Sequence, residues 1–307
     1  MDQYLNLLKS VMADGVDKGD RTGTGTRSIF GHQMRFNLEK GFPATTTKKL
    51  AWKSMVGELL WFIEGSRDER RLAEITHGTR DGVVTIWTPN AQAPYWKPKA
   101  EFDGDLGRVY GVQWRYWRKS SQFSNRPMKM TIDSYGQEFS TGTITYPGYE
   151  YVDQLFNLVE GLKNDPNGRR HILTAWNPGE LDLMALPPCH CFSQFMVINN
   201  KLSCQTYIRS NDLFLGAPFN IASYALFTHM LAQTCGYGVG ELIYTIGDAH
   251  IYKNHFDQVT EQIHRTPYEL PKLWINPEVK TVAGFKMGDF RLENYQFHPS
   301  IKAEMAV

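Results

Sequence analysis

Residues 186–208 read LPPCHCFSQFMVINNKLSCQTYI, and the rest of the chain is organised around this stretch. Two prolines fix their own backbone angles and bias each preceding residue away from helix, so Cys189 is held on a rigid bend with its thiol presented. The runs Phe192 to Ile198 and Leu202 to Ile208 flank Asn199-Asn200, which predicts two strands joined by a hairpin turn. A thiolate is the attacking form of cysteine, so a chemical role for Cys189 needs a nearby cation or donor; His190 and the arginines are candidates. From composition alone the commoner outcome is an inert cysteine, a small buried hydrophobe. A zinc site on Cys189, His190 and Cys191 is disfavoured, because adjacent strand residues point to opposite sides and no C-x-x-C pair completes four ligands.

Downstream come Arg209-Ser210-Asn211-Asp212 and Gly216-Ala217-Pro218-Phe219-Asn220. The apolar run within Ile221 to Leu231 then predicts a buried helix, too short and too interrupted to cross a bilayer. Asn220 stands where an N-cap or a ligand contact would. Gly247-Asp248-Ala249-His250-Ile251-Tyr252 precedes a further helix through Phe256, Val259 and Ile263.

Upstream, Tyr4, Leu5, Leu8, Val11 and Met12 fall at helical spacing until Gly15 stops the helix. Asp20 to Thr26 form a glycine-punctuated loop whose Arg21 can pair bidentately with phosphate, although a lone arginine there is ordinarily solvated surface. Ser28 to Asn37 reads as strand. Ala51 to Glu64 reads as a mostly buried helix carrying Glu58 among Met55, Leu59, Leu60, Trp61 and Phe62. A carboxylate in that setting is either paired with a core cation or poised to move a proton. The charges from Arg67 to Glu74 predict a solvated helix face. Thr85 to Trp87 and Gly104 to Arg115 are aromatic and glycine-punctuated; such density is usually plain core, and it can also line a flat ring.

The polar stretch from about 116 to 150 predicts an insertion or loop. Val152, Leu155, Phe156, Val159 and Leu162 mark an amphipathic helix ended by Asn164, Pro166 and Gly168. Arg169-Arg170 follow; such a pair is usually solvent-facing, yet it clamps phosphate when a ligand or another subunit brings the anion. Strands and long buried helices without regular alternation predict an α+β fold, as one domain over 1–307.

A hydrophobic share of 42% over 307 residues supports a sizeable core, and a net charge of only +1 gives no global field for nucleic acid. An anionic ligand must therefore be small and held by clustered arginines. Cysteines at 189, 191, 204 and 235 have no framework spacing, and no signal-like run opens the chain. A reduced, cytoplasmic protein without a metal or membrane segment is the expectation.

In order along the chain stand DRTGTGT at 20–26, ELLWF at 58–62, DLGRVYGVQWR at 105–115, RR at 169–170 and PPCH at 187–190. RSND at 209–212, GAPFNIASY at 216–224, GDAHIY at 247–252 and a terminal HPSIKAEMAV follow. The series closely resembles the thymidylate synthase family over everything except roughly 116–150 and parts of 67–102.

That resemblance implies an α+β homodimer packed through a sheet face, moving one carbon from 5,10-methylenetetrahydrofolate to carbon 5 of dUMP. It implies Cys189 as the nucleophile on carbon 6 and Glu58 as a proton relay, with Tyr110 and Asn220 completing the catalytic set. Arg21, Arg209 and Ser210 would hold the 5′-phosphate together with Arg169 and Arg170 of the partner subunit. His190, Gln194, Asp212, Asn220, His250 and Tyr252 would meet base and sugar. Ile86, Trp87, Leu186, Asp212, Gly216 and Phe219 would meet the folate, and Ala306 and Val307 would close over it. Asn220 argues for uracil, since its amide donates to the oxygen at position 4 and accepts from the ring N–H, whereas relatives acting on cytosine nucleotides carry aspartate there.

The chain departs from the family pattern in places. Thr88, Pro89 and Asn90 follow Trp87 where an acidic residue and a second tryptophan are usual, and Arg108 replaces a usual proline. Asn211 and Ser193 occupy positions more often small or aromatic. The changes at 88–90 and 108 are expected to touch the folate wall. A viral branch of the family adds water in place of hydride and makes 5-hydroxymethyl-dUMP; the retained Trp87, Asp212 and C-terminus favour hydride. A non-catalytic nucleotide-binding protein or translational repressor is disfavoured by Cys189 and Glu58 together.

Overall fold

A hairpin and a parallel crossover set the architecture. In the computed structural model, which describes residues 1–20, 22–120 and 149–304, the strands are β1 (Val16–Lys18), β2 (Thr26–Asn37), β3 (Trp117–Ser120), β4 (Tyr149–Val152) and β5 (Ile172–Thr174). They continue as β6 (His190–Ile198), β7 (Lys201–Asp212), β8 (Gly238–Tyr252), β9 (Lys272–Ile275) and β10 (Phe290–Glu293). The helices are α1 (Asp2–Asp14), α2 (Trp52–Glu64), α3 (Glu69–His77), α4 (Thr88–Ala91), α5 (Tyr110–Arg115), α6 (Gln154–Asn164), α7 (Gly216–Cys235) and α8 (Phe256–Ile263). The fold is α+β, with one six-stranded sheet in the order β1-β2-β8-β7-β6-β5.

Asn199 and Asn200 turn the β6–β7 hairpin with φ of 50° and 60°, a left-handed pair that asparagine tolerates and that matches strand twist. β7 and β8 are parallel, so a crossover must return the chain to the same end, and α7 is that crossover. It is apolar on nearly every side, and Ile221, Leu226, Phe227 and Leu231 have no exposed surface, so it runs through the core. Along β7, Leu202, Cys204, Thr206 and Ile208 point into the core while Gln205 and Tyr207 point out. Phe30, Ile172, Phe192, Met196, Ile198 and Tyr207 are all exposed large hydrophobics of this sheet.

The topology positions the site. Parallel pairing aligns Ser210 with Asp248 and Asp212 with His250, and antiparallel pairing places His190 opposite Ile208 and Thr26 opposite Tyr252. Four separated motifs thereby meet at one end of the sheet.

Some expectations change. α7 begins at Gly216, so Asn220 lies inside the helix and is not its N-cap. Glu69 is buried instead of solvated: the turn after α3 folds back so that the Thr88 hydroxyl donates to Glu69 at 2.6 Å, and Arg70 pairs with the same carboxylate. The core of the expected insertion, 121–148, lies outside the described residues; the antiparallel pair β3–β4 brackets it.

Candidate active site

The proline bend is locked from two sides. Arg209 donates from Nη2 to the Pro187 carbonyl at 3.0 Å and from Nε to the Pro188 carbonyl at 2.9 Å, and its backbone N–H reaches the Cys189 carbonyl at 2.9 Å. From the other side, the Cys189 N–H donates to Tyr110 Oη at 2.8 Å. The thiol is thus fixed by backbone bonds and not merely by proline stiffness.

Burial pushes the Cys189 thiol above the ordinary cysteine range, and the Arg209 charge and the Tyr110 hydroxyl pull it back less strongly. His190 is not the expected cation: burial pushes it down to about 4, so its ring is neutral at pH 7, with the Asn220 amide opposing the shift. Its buried Nδ1 has no partner among the described residues. Cys191 turns its sulfur toward the Pro188 and Cys189 carbonyls, at 3.6 and 3.5 Å.

Among the described residues no cation pairs with Glu58. Its carboxylate accepts from the Trp87 indole Nε1–H at 2.7 Å, and burial pushes its pKa up to about 7, against the smaller lowering effect of that bond. A carboxyl balanced near neutrality can give and take a proton at physiological pH. Trp87 packs edge-on to Tyr110 at 5.6 Å, Tyr110 to His190 at 5.1 Å, and His190 to Tyr224 at 5.4 Å. Aromatic contacts therefore run unbroken from the indole to the helix bearing Asn220.

Tyr110 opens α5, which presses on α2 through Gly111: a Cβ there would stand 2.3 Å from the Phe62 carbonyl oxygen. Only glycine allows that approach. Arg108 is buried, and its guanidinium pairs with the buried Glu180 at 2.5 Å. Thr88 likewise turns its hydroxyl to Glu69, while Pro89 and Asn90 are half-buried in α4.

Asp212 accepts from the backbone N–H groups of Phe214 and Leu215 at 2.8 and 3.2 Å, fixing the turn into α7. Tyr244 Oη donates to Asn211 at 2.8 Å, and Asn220 stands beside it. Ser210 is half-buried, His250 is buried and Tyr252 packs against it with ring centroids 5.1 Å apart. Leu186, Gly216 and Phe219 are half-buried near the bend and the start of α7, and Ile86 is exposed.

Arg169 and Arg170 are exposed on the loop between α6 and β5. Gln194 is not brought to Cys189. After the bulge between His190 and Phe192, alternation along β6 turns it outward, where its amide donates to the Arg169 carbonyl at 3.2 Å. Arg21, Ala306 and Val307 lie outside the described residues.

Sequence reasoning passed over Lys48. Its ammonium is buried 3.4 Å from the Phe214 ring centroid and donates to the Phe214 carbonyl; burial pulls its pKa down to about 7, opposed by the Asp212 charge. A lysine after three threonines reads as surface, so no local signal marks it.

Comparison with protein families adds the class. A family model described as thymidylate synthase matches residues 2–307, and the chain belongs to that family. The family comprises enzymes that bind dUMP and folate and use methylenetetrahydrofolate as co-substrate for one-carbon transfer. Among the described residues no group of three or more His, Cys, Asp or Glu is placed to hold a metal ion, and no helix is long and apolar enough to cross a membrane.

Proposed function

We propose that this protein is a cytoplasmic thymidylate synthase that converts dUMP to dTMP with formation of dihydrofolate, acting as a homodimer of one catalytic domain. The observation that carries the reading is the buried Glu58–Trp87 pair, joined through Tyr110 to the bend of Cys189. It gives a dry, aromatic surface beside the nucleophile, and a dry surface favours hydride over water at the nucleotide.

Cys189 adds to carbon 6 of the base and is later expelled, so that carbon 5 becomes nucleophilic in between. Glu58 exchanges the protons this requires. Asn220 reads the uracil edge, supported by its place in the first turns of α7 beside His190. Arg209 and Ser210, with Arg21 and with Arg169 and Arg170 of the partner subunit, hold the phosphate. The exposed apolar sheet face around Phe192 and Tyr207 is where a second copy packs. Asp212, Trp87, Leu186, Ile86, Gly216 and Phe219 offer an acceptor and apolar walls of the kind a pterin needs, with Ala306 and Val307 closing over it. Bound 5,10-methylenetetrahydrofolate supplies the carbon and, for a methyl product, the hydride.

The competing outcome, a hydroxymethylase returning tetrahydrofolate, draws support from Thr88, which stands where the family usually has an acidic residue and turns its hydroxyl to Glu69. Reaction in oxygen-18 water separates the two. Dihydrofolate absorbance rising in step with dTMP is expected; a labelled hydroxymethyl nucleotide without stoichiometric dihydrofolate would overturn the synthase reading.

A further inference from the structure

We infer that the buried ion pair of Arg108 with Glu180 is a positioning device for Tyr110, holding its hydroxyl beneath the Cys189 N–H. Arg108 stands one residue before Val109, the N-cap of α5, and Tyr116 is the C-cap. From the N-terminal side the Arg108 guanidinium reaches the C-terminal end of α5, where Nη2 donates to the Tyr116 carbonyl at 2.5 Å, while Nε donates to Glu180 Oε2 at 2.5 Å. Gln113, in the middle of α5, donates to the same Glu180 oxygen at 2.8 Å and to the Arg108 carbonyl at 2.9 Å. A six-residue helix has little stability of its own, so its position is set by these bonds and by packing.

Two further observations point the same way. Tyr110 has a φ of 21°, a value that residues with side chains rarely adopt unless their surroundings impose it. Glu180 belongs to the turn that leads into the bend: the Arg108 N–H donates to Leu183 at 2.8 Å and the Ala185 N–H to Leu106 at 3.0 Å. The network therefore ties α5 and the segment entering Cys189 into one body, and Tyr110 Oη meets Cys189 N where the two converge. A buried ion pair is seldom more stabilising than apolar residues of similar volume, so stability alone does not account for it.

Its role in catalysis rests on the proposed function; its role at the thiol does not. The test is alkylation of Cys189 by iodoacetamide in the free protein, followed by peptide mass spectrometry across pH. Arg108→Met, Glu180→Gln and the apolar swap Arg108→Met/Glu180→Leu are each made in wild-type and Tyr110→Phe backgrounds. Because Tyr110 helps to lower the thiol pKa, each folded variant should move the alkylation midpoint upward and slow the reaction at pH 8 by about tenfold. In the Tyr110→Phe background the same changes should have no further effect. Glu180→Gln, which keeps volume, and the apolar swap keep the test readable if Arg108→Met fails to fold. Wild-type rates in a folded variant, or equal slowing in both backgrounds, would overturn the inference. Tritium release from dUMP labelled at carbon 5, with folate present, is measured in parallel. Wild-type protein that releases none refutes the proposed function and leaves the alkylation result to decide the positioning role.

Discussion

Trp87 and Glu58 form one buried unit: the indole N–H donates to the carboxylate at 2.7 Å across 29 residues of chain. A neutral donor stabilises the carboxylate without cancelling its charge, so the carboxyl is held near pH 7 and not locked in its ionised form. Trp87→Phe removes the effect that lowers the pKa. The acid limb of the pH–rate profile should therefore move to higher pH, and an unmoved limb would separate Glu58 from catalysis.

The same carboxyl makes stability depend on pH. Its folded pKa is raised from 4.5 to about 7, so the native state binds the proton more tightly than the unfolded chain, and stability falls as pH rises through that window. Glu58→Gln stays neutral throughout. It should gain on wild type between pH 4.5 and 7, reaching about 3 kcal/mol and then levelling off, while losing turnover by roughly 10²-fold or more. Denaturant titrations at several pH values check the first, and a gap that stays constant would show that Glu58 is not the titrating group.

Arg209 acts on Cys189 both as a charge and as a clamp on two carbonyls. Arg209→Gln should shift the alkylation midpoint of Cys189 upward. Arg209→Lys, which keeps the charge but not the forked geometry, should preserve more of the midpoint than of the turnover. Equal midpoints in all three proteins would remove Arg209 from the thiol's titration and leave it to burial and Tyr110.

Asn220 lies inside α7 beside the neutral His190. Asn220→Asp should lower kcat/KM for dUMP and raise it for dCMP, because a carboxyl sharing a proton matches the cytosine edge. Kinetics with both nucleotides decide it; a wild-type preference for dCMP would refute the uracil reading.

Arg169 and Arg170 are exposed on the loop before β5. If they serve the other subunit, mixing Cys189→Ala with Arg169→Ala/Arg170→Ala should restore roughly a quarter of wild-type activity at equal ratio, since half the dimers would hold one intact site. Proven subunit exchange without recovery would place them elsewhere.

What the sequence determined by itself is what nearest neighbours along the chain control. Gly15 ends α1, Asn199-Asn200 turn the hairpin, two prolines bend the chain before Cys189, and α7 is apolar all round. These follow from backbone freedom and periodicity, and the order of the motifs led to the family. Tertiary structure decided the charge states and the partners. Burial raises the Glu58 pKa to near neutrality, with Trp87 as its hydrogen-bond partner, and burial leaves His190 neutral, with Tyr110 and Tyr224 packed against its ring. Arg108 joins Glu180 across 72 residues, and Gln194 faces outward because one bulge shifts the alternation of β6. Burial and pairing are sums over segments distant in the chain, so they exist only once parallel β7 and β8 have brought those segments to one end of the sheet.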